Sequence, residues 1–223
     1  MSVPTLVLVP PPAKSTPRVR ALRFVIPCVA AAIAVAALFA AGAGRYSASQ
    51  LPIFGAVPPL QMRDQHARTV TAADLQGGVN IIDFFFTSCP VSCPRLTRRL
   101  ADVQQRLEAE RDSAFKHVNL VSISVDPEND TPARLLEYAR RFGAHDDRWT
   151  FLTGPGEDLH RIIVDGFKME YQSADPALGI AEVMHGNWFV LTDRAAQIRG
   201  YYLAESPAQV DQLLRDARAL TQM

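Results

Sequence analysis

Asp83-Phe84-Phe85-Phe86-Thr87-Ser88-Cys89-Pro90-Val91-Ser92-Cys93-Pro94 begins as a run of β-favouring residues and stops at a polar turn. Two cysteines follow with three residues between them, and each is followed by proline. Outward on the N-terminal side, Val79 to Thr87 predicts a strand. Its continuous apolar character implies burial on both faces, as in the middle of an α/β sheet. On the C-terminal side, Pro94 to about Arg111 predicts a helix. Pro94 suits the first helical position, where a missing N–H costs nothing. Leu96, Leu100, Val103 and Leu107 recur at helical spacing and form one apolar stripe. Cys93 then stands at or beside the N-cap, where the helix dipole and free N–H groups favour a thiolate.

Further elements flank this unit. Leu60 to His66 reads as a short strand and turn, and Thr71 to Gly77 as a single helical turn closed by glycine. His117 to Val125 is a second β run, ending in Asp126-Pro127-Glu128-Asn129-Asp130-Thr131-Pro132. Thr131 caps a helix that Pro132 opens, which runs to about Phe142 and is closed by Gly143. Trp149 to Leu152 is a short strand, and Glu157 to Phe167 is a helix with Leu159, Ile162 and Ile163 inward. Tyr171 to Glu182 reads as a loop. Asn187 to Thr192 and Ile198 to Leu203 form a hairpin about Asp193–Gln197, and Ser206-Pro207 starts a last helix. The order β-α-β-α-β-α-β-β-α implies parallel pairing with an antiparallel edge from the terminal hairpin. That is an α/β, thioredoxin-like sandwich, with the cysteine pair at the end of its first central strand.

The N-terminal quarter differs in kind. Residues 1–23 carry five prolines and are expected to be a disordered tail. Phe24 to Gly44 is 21 residues long and uncharged. At about 1.5 Å per residue it spans roughly the 30 Å hydrocarbon layer. Lys14, Arg18, Arg20 and Arg23 precede it and only Arg45 follows closely, so the tail is placed in the cytoplasm and the rest across the membrane. The competing reading is a cleaved signal peptide, with Ala41-Gly42-Ala43 as its small-residue site. The apolar run is longer than the usual signal core of about 7–15 residues, which favours an uncleaved transmembrane anchor. Residues 45–57 follow as a linker, and 58–223 as the folded domain. The absence of an amphipathic Arg/Ser-rich presequence points to a bacterial inner membrane, with the domain in the periplasm, over a mitochondrial one.

The 223-residue chain has 23 basic and 23 acidic side chains, for a formal net charge of 0. That balance argues against nucleic acid as a partner. Cys28 falls in the apolar run as a small apolar residue, so Cys89 and Cys93 are the two thiols of the folding part. Outside the cytoplasm a cysteine pair is usually a structural disulfide. A three-residue spacer closes too small a loop to stabilise much, so this spacing suits a redox pair or a metal site better. Two thiolates are soft ligands for Cu(I) or Zn(II), and a metal needs a further ligand from elsewhere. Surface positions account for His66, His145 and His160, and His117 begins a strand. His185 precedes the hairpin, where the loop of a thioredoxin-like fold packs against the cysteine turn. Met184 is either a soft fourth contact or a core residue. Asp126 either orients a site or docks a partner, or only forms its turn.

These residues resemble the Sco/SenC copper-binding proteins that assist assembly of cytochrome c oxidase. The resemblance covers roughly residues 55–205. It rests on Phe86 to Pro94, on Ser124 to Pro132, on Leu152-Thr153-Gly154, and on His185 ahead of Phe189-Val190-Leu191-Thr192-Asp193 and Ile198-Arg199-Gly200-Tyr201-Tyr202. It implies copper, Cu(I) and also Cu(II), held by Cys89, Cys93 and His185. The implied partners are the copper-bearing subunit of the oxidase and other copper carriers. Gly186-Asn187 stands where the family usually has an aromatic residue, and Ala195-Ala196 where it has a hairpin glycine.

Three rival readings use the same residues. A thiol-disulfide oxidoreductase would use Cys89 and Cys93 as its redox pair on a partner's cysteines. A peroxidase-like thiol enzyme needs a low-pKa cysteine beside a Thr and an Arg, and Thr87 and Arg95 lack persuasive spacing for it. A structural zinc site lacks an evident fourth ligand.

Overall fold

A computed structural model describes residues 51–110, 113–169 and 187–223, all in the compact unit Ser47–Met223. The expected tail, the membrane span, Met184 and His185 lie outside the described residues. Among those described, no helix is long and apolar enough to cross a membrane.

An eight-stranded mixed sheet organises the unit. Its strands are β1 (Gly55–Ala56), β2 (Gln61–Asp64), β3 (Thr69–Thr71), β4 (Val79–Phe85), β5 (Val118–Ser124), β6 (Trp149–Thr153), β7 (Trp188–Thr192) and β8 (Gln197–Leu203). They lie in the order β1-β8-β7-β4-β5-β6-β2-β3. β4, β5 and β6 run parallel, as alternating strands and helices require. The helices are α1 (Ser92–Ala109), α2 (Pro132–Arg141), α3 (Gly156–His160) and α4 (Pro207–Thr221). After α3 the chain widens through Arg161–Gly166, where Phe167 N–H reaches back five residues to the Ile162 carbonyl at 2.9 Å. The single regular helix expected over Glu157–Phe167 is thus split, although Leu159, Ile162 and Ile163 do point inward.

Every residue of β4 is buried. Side chains alternate across a strand, so Val79, Ile81 and Phe85 enter the core under α1, α2 and α4, while Ile82 and Phe84 enter the core under α3. Burying each such side chain contributes about 1.5–3 kcal/mol, and this two-sided burial makes β4 the rigid base of the cysteine turn. Thr131 caps α2 and Ser206 caps α4, each accepting a backbone N–H three residues on.

Two edges differ from the sequence reading. The terminal hairpin is not the sheet margin: β7 pairs with β4, and β1 covers the outer side of β8. β1 comes from the stretch read as linker, and a two-residue strand carries no periodicity to betray it. Arg199, only 4% exposed, fastens that approach by donating to the carbonyls of Leu51 and Pro52. In the hairpin turn, Ala196 adopts φ 55°. Left-handed geometry costs an L-residue about 1–2 kcal/mol. The Asp193 carboxylate offsets it by accepting the N–H groups of Ala195 and Gln197, each at 2.9 Å.

Candidate functional site

β4 stops pairing at Phe85, and the turn Phe86–Val91 carries Cys89 to the start of α1. The helix begins at Ser92, two residues earlier than expected. Pro94 is its third residue, which is equally tolerable because the first four N–H groups of a helix have no intrahelical partner. Cys93 is therefore inside the first turn. Its backbone N–H donates to Cys89 Sγ at 3.3 Å, and the Ser92 hydroxyl lies 3.1 Å from the same sulfur. Both cysteines are free thiols and each is 7% exposed. Below them, Thr97 Oγ1 donates to the Cys93 carbonyl at 2.8 Å and lies 2.9 Å from Tyr138 Oη, joining α1 to α2. Val91, between the two thiols, is 53% exposed and forms an apolar rim.

The cysteine favoured for ionisation is Cys89, where Cys93 was expected. Burial above all, with its contact with Cys89 and the charges of Cys89 and Asp83, pushes the Cys93 thiol up to about 12, the Phe86 backbone offsetting only part. Burial also acts on Cys89, but the Ser92 hydroxyl, the N–H groups of Cys93 and Val91 and the Cys93 thiol outweigh it, so its pKa is lowered. The N–H groups of the first helical turn point at the preceding sulfur, not at the cysteine within the turn. Iodoacetamide at about pH 7 should therefore modify Cys89 at least roughly a hundredfold faster than Cys93. Peptide mapping by mass spectrometry reads the ratio, and equal rates would refute the assignment.

Asp83 lies beneath the pair on the face of β4 shared with Ile81 and Phe85. Its Oδ1 accepts the Ser122 hydroxyl at 2.5 Å, and Trp149 Nε1 donates to that same hydroxyl at 2.9 Å. Its Oδ2 is buried without a partner among the described residues. Desolvation raises this carboxyl to about 7 against the hydrogen bond from Ser122. Sequence reasoning passed over Asp83, though an acid inside an apolar β run was a signal.

Asp126 accepts the Ser88 hydroxyl at 3.3 Å and Asn129 Nδ2 at 2.9 Å, so it forms its own turn and also touches the cysteine loop. Asp130, read only as part of a turn, is fully buried and bonded to Thr87. A second bond to Asp130 occupies the Thr87 hydroxyl, and Arg95 is exposed on α1, so neither is poised for peroxide. His66 and His145 pair with Asp146 (3.1 Å) and Glu108 (2.8 Å) at other places. His117 and His160 are exposed. Among the described residues no three His, Cys, Asp or Glu side chains gather into a metal cluster. The two thiols are brought together, and the position of His185 relative to them lies outside the described residues.

Comparison with known proteins agrees with this geometry. Residues 55–222 match the SCO1/SenC family, and the chain belongs to it. It is 29% identical over 169 residues to the SCO1 protein homolog of Bacillus subtilis, covering 75% of this chain and 84% of that one. The solved structure of BsSco, described as having a disulfide switch and as a member of the Sco family of cytochrome c oxidase assembly proteins, matches with a TM-score of 0.67 and 27% identity. That match covers 78% of this chain and 99% of the other. Copper-bound ScoI of Bradyrhizobium japonicum shares the fold at a TM-score of 0.60 and 24% identity, over 74% of this chain and 99% of its own. The thioredoxin-like fold read from the element order is the fold of these Sco structures.

Proposed function

We propose that this chain is a membrane-anchored copper chaperone of cytochrome c oxidase assembly. In this reading Cys89, Cys93 and His185 hold the metal as cargo, and residues 24–44 tether the domain on the periplasmic side of an inner membrane. The observation that carries the reading is the pair of buried thiols brought together at a helix start, Cys89 with its pKa lowered and Cys93 with its pKa raised. Two soft sulfur donors converge there, with the Cys93 N–H and the Ser92 hydroxyl both at the Cys89 sulfur. Membership of the family supports it, as does the description of BsSco as belonging to cytochrome c oxidase assembly proteins. The copper held by ScoI shows that this fold accommodates the ion. A coordinated thiol is deprotonated outright, so copper would displace the proton that burial keeps on Cys93. Three ligands leave the ion open to exchange with a recipient, which suits transfer to the binuclear copper site of the oxidase.

The test is a Cu(I) titration of the full-length chain and of His185→Ala under reducing conditions. The wild type should bind about one copper per chain, and His185→Ala should bind at least roughly tenfold more weakly while its dithiol still oxidises and reduces normally. Unchanged affinity would remove His185 from the ligand set.

The inequality of the two thiols also favours a second reading, a thiol-disulfide oxidoreductase. The Cys89 thiolate would attack a partner's disulfide, expelling one partner thiolate and forming a mixed disulfide. Cys93, after losing its proton, would then attack Cys89, closing the Cys89–Cys93 bond and releasing the second partner thiolate. A normal redox cycle on a partner with no copper bound by the wild type would favour this role.

A further inference from the structure

The turn that carries Cys89 is held by a carboxylate from a different loop. The last backbone bond to β4 on its β5 side is Val125 N–H to the Phe85 carbonyl at 2.9 Å. Past that point Asp130, from the stretch between β5 and α2, takes the place of a sheet partner. Its Oδ2 accepts the Thr87 backbone N–H at 3.0 Å and the Ser124 hydroxyl at 2.6 Å, and its Oδ1 accepts the Thr87 hydroxyl. Asp130 is fully buried and both of its oxygens are used. Burying a carboxylate this deeply is costly unless it is fully hydrogen-bonded. Here two of its three bonds end on the residue two positions before Cys89. Capping α2 does not require it, since Thr131 performs that role.

We propose that Asp130 is the positioning residue of the dithiol: it fixes the turn Thr87–Cys89 so that the Cys89 sulfur meets the first turn of α1. The inference deepens the proposed function, resting on Cys89 and Cys93 being the working pair. Functional constellations need holding to within about 0.5 Å. A turn that leaves the sheet at Phe85 has no other buried side chain among the described residues bonded to it from outside. With the lock intact the two sulfurs are pre-set to close on one another and to share a soft ion. Without it, Cys89 samples orientations in which neither happens.

The test uses the full-length chain in detergent and glutathione as the redox probe. The dithiol and oxidised glutathione give the Cys89–Cys93 disulfide and two reduced glutathiones. Asp130→Asn replaces one acceptor oxygen by a donor and should lower this equilibrium constant about tenfold, equivalent to roughly 30 mV for the two-electron couple. Thr87→Val deletes the side-chain bond alone and should shift it in the same direction by about threefold. Ile198→Val, a buried change in β8, should lower the melting temperature without moving the equilibrium. If Asp130→Asn does not fold, Thr87→Val and Ile198→Val decide the matter between them. A wild-type equilibrium constant in Thr87→Val, or an equal shift in Ile198→Val, would overturn the positioning role. Copper titration of the wild type is read separately. Failure to bind copper would end the chaperone reading and leave the glutathione result to judge Asp130.

Discussion

Replacing Cys89 with serine should leave the chain folded but without copper: bound metal falls from about one ion per chain to none against a micromolar competitor. Serine offers a hard, protonated oxygen where Cu(I) requires a soft thiolate. The loss should not come from unfolding. A serine oxygen can still accept the Cys93 N–H that now reaches the Cys89 sulfur at 3.3 Å, so the cost to stability stays near 1 kcal/mol. Cys93→Ser should behave alike, since both sulfurs are needed, and Cys28→Ser should lose nothing. Elemental analysis after gel filtration gives the stoichiometry, and circular dichroism verifies the fold. Full retention of copper by Cys89→Ser would take the thiol pair out of the proposed site.

The second large effect concerns Asp83. Its carboxyl is raised from 3.8 to about 7 by desolvation, partly countered by the Ser122 hydroxyl. The folded chain then holds a proton that the unfolded chain releases, so this group's contribution to stability is greatest below about pH 4 and is lost as pH rises to about 7. Three pH units at about 1.4 kcal/mol each give roughly 4 kcal/mol, a large part of the 5–15 kcal/mol typical of a whole domain. Asp83→Asn stays neutral throughout and can still accept the Ser122 hydroxyl through its carbonyl oxygen. Urea unfolding of both chains under reducing conditions should show the wild type losing roughly 4 kcal/mol relative to the variant between about pH 4 and 8. Parallel stability curves would show that Asp83 does not titrate in the fold.

Much of the architecture was legible before any coordinates. The strand through Val79–Phe85, the helix after the cysteines, the Thr131 and Ser206 caps and the terminal hairpin all follow from local rules of propensity, capping and periodicity. The strand β1 and the widened turn after α3 do not. Gly55–Ala56 has no pattern of its own and is a strand only because β8 lies beside it. The Arg161–Gly166 stretch has ordinary helical periodicity, and its wide turn is set by packing.

The site divides in the same way. Cys89 and Cys93 announce themselves by spacing and by their place between a strand and a helix. Which of them ionises more readily is not legible in the sequence, because it depends on where the N–H of Cys93 points and on how deeply each sulfur is buried. Both facts arise only when α1 packs on β4. Asp83 stands out only as an acid inside an apolar run, and Asp130 is indistinguishable from an ordinary turn residue until the fold buries it. Residue type and order determined the elements, the thiol pair and the family, since these depend on short-range chemistry. Tertiary structure alone decided which sulfur ionises more readily, which carboxyl is orphaned and which one ties down the cysteine turn. Desolvation and contacts between residues about forty positions apart exist only once the chain has closed on itself.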